Sequence, residues 1–190
     1  MELNKAVALG HLSEVMMTTS DPVRLCHTVI DHLYNHLGYR RCAFLLRRDG
    51  ASPLQVYHRC PGTMTPDQQL LEARRVNRLL QSAKGGVLDH VTASRRGIVV
   101  NDVDAYPGYV RSDSSMRSEA CFPLMADGDC IGVLDVESEM PYKFEWDDHI
   151  MLTAIAGQMG QVLARRWCEV ETGLREAAIG ASARLLPRLA

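Results

Sequence analysis

No apolar run in the 190-residue chain approaches the ~18 residues that a membrane-spanning helix needs. The N-terminus also lacks the apolar core of a signal peptide, so the sequence predicts a cytoplasmic protein with no membrane contact. Charge of one sign is missing as well: Lys and Arg total 21 against 23 Asp and Glu, a formal net charge of −2. That balance offers no footprint for nucleic acid, whose phosphates demand a basic surface. The arginine pairs (Arg40-Arg41, Arg47-Arg48, Arg74-Arg75, Arg95-Arg96, Arg165-Arg166) fall at element ends or on helix faces, as solvated charges do. Cys26, Cys42, Cys60, Cys121, Cys130 and Cys168 form no C-x-x-C pair. Their spacing argues against a zinc ribbon and against a disulfide framework, and most are expected as small buried hydrophobes. Internal repeats, glycine-rich phosphate loops, G-x-S-x-G elbows and H-E-x-x-H helices are absent too.

What remains is a chain 46% hydrophobic, long enough for one domain with a full core and too short for two. Residues 2–18 carry helical spacing, and a second helix starts at Asp21-Pro22 and stops at Gly38. The far face of that helix, with His32 and His36 one turn apart, reads as solvated, since two histidines fall short of a closed metal site. Strands are expected at Arg41 to Arg48, Leu54 to Arg59 and Ile98 to Val103, and helices from Thr65-Pro66 to Gly85 and over Val87 to Ser94. The irregular stretch Ala105 to Ser115 is a candidate lid. The last helix starts near Ile150 and runs past Leu174, and its apolar stripe outruns a single domain. Paired with the N-terminal helix it predicts a homodimer seam.

The organising stretch is Arg117 to Asp148, two alternating strands around Asp127-Gly128-Asp129, then Pro141 and an acidic first helical turn. Alternation places Glu119, Cys121 and Pro123 on one face of the first strand, and Ile131, Val133, Asp135 and Glu137 together on the second. Carboxylates gathered on one face of a central strand are costly if buried without counter-charge, and would suit an ammonium group or a cation. The alternative is that they face solvent.

These phrases resemble a GAF domain over about residues 20–165. The matching pattern is Ser118-Glu119, Pro123-Leu124, Ile131-Gly132-Val133-Leu134, Ser138, Pro141, Phe144 and Asp147-Asp148. Within that superfamily the chain is most similar to the free methionine-R-sulfoxide reductase branch, through Gly86-Val87-Leu88, Pro107-Gly108-Tyr109 to Asp113, and Gly132-Val133-Leu134-Asp135-Val136-Glu137-Ser138. The resemblance implies an α/β (α+β) fold: an antiparallel sheet of five or six strands, helices on one face, and a ligand pocket with loops on the other. It also implies that Glu119, Asp135 and Glu137 hold a small, amino-bearing ligand, with Tyr109, Ser112 and Asp113 from the loop. Three family cysteines fall at Leu88, Ser112 and near Arg78, so the family reaction lacks its nucleophile and its resolving thiol. Cys121 shares a face with Glu119 but reads as a core thiol. The expectation is a non-catalytic, ligand-sensing dimer, with residues 1–19 as an N-terminal helix, 20–165 as the GAF domain and 166–190 as a helical extension. No metal or cofactor is expected. A diverged reductase using Cys121 and a ligand-free dimerisation scaffold are the alternatives.

Overall fold

The computed structural model describes residues 2–46, 55–59, 65–82, 86–111 and 113–185. Helix α1 (Glu2–Thr18) and helix α2 (Pro22–His36) are followed by strands β1 (Arg41–Leu46) and β2 (Gln55–Arg59). Helices α3 (Pro66–Ser82) and α4 (Val87–Ser94) lead to β3 (Ile98–Val100), a short 3₁₀ turn (Val103–Ala105), β4 (Ser118–Ala126), β5 (Asp129–Ser138) and the long α5 (Trp146–Leu185). Among the described residues no helix is long and apolar enough to cross a membrane.

Local chemistry explains most of these boundaries. Asp21 accepts the Arg24 N–H at 2.6 Å with Pro22 at the first helical position, and Gly38 leaves α2 at φ +74°. Thr65 and Gln68 exchange backbone and side-chain hydrogen bonds at the start of α3, a capping box. Asp127 and Gly128, at φ 50° and 88°, form the two-residue turn between β4 and β5, whose twist suits a hairpin. Asp148 takes the Glu145 N–H at 3.0 Å and the Tyr39 hydroxyl at 2.6 Å, which pins the start of α5 to the chain between α2 and β1.

All pairings are antiparallel, in the order β2-β1-β5-β4-β3. Cys42, Phe44, Leu46, Ala120, Phe122, Leu124, Leu134 and Val136 turn to one face, against α2 and α5. Leu25, Val29 and Leu33 of α2 and Leu152, Ile155, Met159 and Leu163 of α5 complete this core, with Leu12 and Met16 of α1. The other face carries Leu45, Cys121 and Val133 under Val87 and Val91 of α4 and Val103. On this second face α4 packs on the sheet beside the loop, and Val76 of α3 joins the same cluster.

Two expectations are corrected. The third strand ends at Val100 instead of Val103, because Asp102 turns its side chain onto the Asp104 N–H at 3.1 Å and opens the 3₁₀ turn. His32, expected in solvent, is 7% exposed and meets the Ala8 carbonyl of α1 at 2.9 Å through Nε2.

Helix α5 lies very close to β4. A Cβ on Gly160 would fall 2.4 Å from the Met125 carbonyl oxygen, whereas one on Gly157 would meet nothing within 4 Å. Gly160→Ala is expected to destabilise by about 1–3 kcal/mol through overpacking, and Gly157→Ala to stabilise by about 0.5–1 kcal/mol through helix propensity. Chemical denaturation of the two variants checks this, and equal stabilities would contradict the close contact.

Candidate functional site

Strand register builds the second face in rows. One row runs Val100, Glu119, Glu137, Arg41 across β3, β4, β5 and β1, and the next runs Ile98, Cys121, Asp135, Ala43. Directly opposed side chains in such a ladder have Cβ atoms about 4.5–5.5 Å apart. Glu119 thus faces Glu137 across the strand gap, with Asp135 beside both. Glu119 is 4% exposed, while Asp135 and Glu137 are partly buried. Carboxylates in this setting repel one another and lose hydration together.

The segment from Tyr106 to Met116 covers them. Tyr109 packs on the smaller core cluster with its hydroxyl buried, and Arg111 holds its guanidinium 5.6 Å from the Tyr109 ring centroid. Arg111 also donates to the Met116 carbonyl at 2.8 Å and pairs with Asp104, which Arg117 joins at 3.0 Å. Asp113 accepts from the Ser115 N–H at 2.8 Å, from the Ser115 hydroxyl at 2.7 Å and from Arg41 Nη1 at 2.6 Å. The Arg41 contact ties the loop to the sheet edge of the acidic row. A Cβ on Gly86, at φ +88°, would fall 2.9 Å from Val110 Cγ2, so this glycine lets the loop seat against the start of α4.

Ionisation follows from this packing. Burial raises the Glu119 carboxyl to about 7, the Tyr109 hydroxyl opposing and Glu137 adding to the rise. Burial first, then the charges of Glu119 and Glu137, lifts Asp135 well above the carboxylate range. Burial and Glu119 raise Tyr109, and burial and Asp135 raise the Cys121 thiol. Asp113 is held below its usual value by Ser115 and then by Arg41. Both shifts favour the protonated carboxyl on this face. Asp135 Oδ1 and Tyr109 Oη are buried without a hydrogen bond of good geometry, although the tyrosine hydroxyl lies close enough to Glu119 for each to shift the other's ionisation.

Of the residues singled out in the sequence, Tyr109, Glu119, Asp135 and Glu137 come together, and Asp113 sits at the rim through Arg41. Ser112 lies outside the described residues. Sequence reasoning missed Arg41, read as a charge at a strand end, and Arg75 of α3, whose guanidinium bonds Glu72 and feels Asp113 and Glu137. Only the register of β1 against β5 would have exposed Arg41. One group among the described residues has metal-ligating geometry: donor atoms of Glu119, Cys121 and Asp135 lie within 4.8 Å of one another.

A single antiparallel sheet packed on one face by α2 and α5, with its acidic face under α4 and the loop, makes an α/β sandwich. The family model described as GAF domain matches residues 21–163, and the chain belongs to that family, a ligand-binding sensor fold found in signalling proteins. The chain is 35% identical over 66 residues to the protein YtsP of Bacillus subtilis (strain 168), a match covering 35% of this chain and 40% of that protein. It is 30% identical over 79 residues to the free methionine-R-sulfoxide reductase of Escherichia coli (strain K12), covering 42% and 48%. The match thus spans less than half the length of these relatives. The structure of free methionine-R-sulfoxide reductase from Neisseria meningitidis in complex with its substrate aligns with a TM-score of 0.68 at 26% identity, over 85% of this chain and 89% of that one. The GAF domain of a phosphoenolpyruvate-protein phosphotransferase from Coxiella burnetii aligns at 0.70 with 12% identity, over 89% and 98%, a likeness of fold alone.

A pH dependence follows from Glu119, whose folded value of about 7 exceeds its ordinary 4.5. Between these values the folded chain binds more protons than the unfolded one, so this contribution to stability is full below pH 4.5 and is lost as pH rises through about 7. Asp135 acts in the same sense, and Asp113, held low, acts only in more acidic solution. Urea midpoints of the ligand-free protein are expected to fall across that window, and Glu119→Gln to flatten the fall. An identical slope in the variant would contradict the buried-carboxyl account.

Proposed function

We propose that the chain is a non-catalytic sensor that binds a small, amino-bearing metabolite over its acidic face. The observation that carries this reading is the convergence of Glu119, Asp135 and Glu137 under Tyr109, with Asp135 Oδ1 buried without a well-formed hydrogen bond. An ammonium group offers several N–H donors and the positive charge that buried carboxylates lack. Asp113, and Ser112 by its place in the loop, complete the binding set. The structure of the Neisseria meningitidis reductase in complex with its substrate supports a small-molecule ligand for a chain of this fold.

The same neighbour raises the enzymatic alternative, which the side chains favour less. Leu88 and Ser112 stand where the resemblance sets two reactive cysteines, and a thiol pushed up by burial, as in Cys121, yields little thiolate. A cysteine nucleophile and its resolving partner are both needed to reduce a sulfoxide through a disulfide.

Output would pass through the terminal helices of a cytoplasmic homodimer, in a chain divided into an N-terminal helix (1–19), the GAF domain (20–165) and a helical extension (166–190). Exposed Val7 and Met17 on α1, and Ile150 and Val170 on α5, support that surface. Ligand occupancy shifts such an assembly only by binding one helix arrangement better than another.

Calorimetry with free methionine-R-sulfoxide and other amino acids, set against their deaminated analogues, tests the ligand class. Glu119→Ala with Asp135→Ala is expected to weaken binding about a hundredfold or more, at about 1.5–3 kcal/mol for each charge-assisted bond, with the circular dichroism unchanged. Equal affinity in the double variant would sink the site assignment. Thiol-dependent consumption of the sulfoxide that disappears in Cys121→Ser would establish the reductase instead.

A further inference from the structure

The inner corner of the acidic face holds a donor that an amino ligand leaves unused. Cys121 stands on β4 opposite Asp135 on β5, and Glu119 precedes it by two residues on the same face. The Cys121 side chain is completely buried. Its sulfur and one carboxylate oxygen each of Glu119 and Asp135 lie within 4.8 Å of one another. Asp135 keeps some exposure as a residue, yet its Oδ1 is sealed from solvent and makes no hydrogen bond of good geometry, with the Glu119 carboxyl as its close neighbour. From a different element, Tyr109 brings a second buried hydroxyl without a well-formed bond, close to the same carboxylates. Two buried polar atoms without well-formed hydrogen bonds, beside potential anions, form a costly arrangement that a bound cation would relieve. An ammonium supplies one charge and has no affinity for sulfur. A divalent ion of borderline softness supplies two charges and bonds thiolate and carboxylate alike.

We propose that Glu119, Cys121 and Asp135 form a binding site for a thiophilic divalent cation of the zinc type, with a fourth position open towards Tyr109. Donor atoms around tetrahedral zinc stand about 3.5 Å apart, and the three here lie within 4.8 Å of one another. All three ligands project from the hydrogen-bonded β4–β5 pair, so their backbones are fixed before the ion arrives. Loading releases to solvent the Cys121 proton and any proton held between Glu119 and Asp135, so affinity rises with pH. The inference goes beyond the amino-ligand reading, with which it shares Glu119 and Asp135. A cation in the corner leaves Glu137, Tyr109 and Asp113 to that ligand.

Cobalt(II), titrated into the full chain after reduction and chelator treatment, is the probe. The expected result is one equivalent bound, displaced by zinc, with a thiolate-to-cobalt charge-transfer band in the near ultraviolet. Cys121→Ser should remove the band and weaken cobalt by about tenfold or more, since losing a ligand costs at least what losing its support does. Cys168→Ser, at an exposed thiol of α5, should leave band and affinity unchanged. Because Cys121→Ser puts a hydroxyl into a buried position, Asp135→Asn is the second variant. It keeps the thiol and the shape, and should weaken cobalt to a similar extent. Absence of the band in the parent chain, its survival in Cys121→Ser, or unchanged affinity in Asp135→Asn overturns the site. Calorimetry of the chelator-treated chain with amino compounds separates the two readings. Amino-ligand binding without a cobalt band ends the cation site alone, and a cobalt band without amino-ligand binding ends the ligand reading alone.

Discussion

Everything on the acidic face depends on holding like charges together where water is scarce. Glu119 and Glu137 are directly opposed across a strand pair, and Asp135 is in the adjoining row. Such a group disperses on any scaffold that yields, so the backbone beneath must be stiffer than the repulsion is strong. The central hairpin provides this. Its strands are flanked by β1 and β3, and its opposite side is pressed onto α5 through Phe122, Leu124 and Leu134. The larger core thus underwrites the geometry of a site to which it contributes no side chain.

The covering loop solves a second problem, admission. Its contacts are polar and few: Arg41 with Asp113, Arg111 with Asp104 and the Met116 carbonyl, Arg117 with Asp104. Partly exposed ion pairs of this kind are worth about 0–1 kcal/mol each. Tyr109 and Val103 seat the segment on the smaller core cluster below.

Much of the fold was legible because its signals are local. Asp127-Gly128, Asp21-Pro22 and Thr65-Pro66 state a turn and two helix starts in two residues each, and strand alternation set Asp135 with Glu137 on one face of their strand and Glu119 with Cys121 on one face of its own. The failures share a cause, dependence on contacts distant in sequence. Arg41 belongs to the site because β1 pairs with β5 in a register that sets it opposite Glu137, which nothing near residue 41 specifies. His32 lies three residues after Val29 and seven after Leu25, at the edge of the apolar stripe, and only the arrival of α1 decides that it is covered. Burial of Cys121 was expected from its residue type and its shared face with Glu119 from alternation, but its position opposite Asp135 emerges only from the ladder.

The attachment of α5 has a mechanical consequence. This helix is pinned at its start by Asp148, pressed against β4 at Gly160, and continues without interruption to Leu185. The 22 residues beyond Leu163, its last fully buried core residue, form a rod of roughly 33 Å. Because Gly160 removes any cushion of side chain between rod and sheet, the sheet surface acts as a fulcrum. A tilt of about 5° there sweeps the far end of the rod through roughly 3 Å at the helical rise of 1.5 Å per residue, so a displacement too small to disturb the core becomes, at the tip, one as large as a hydrogen bond is long.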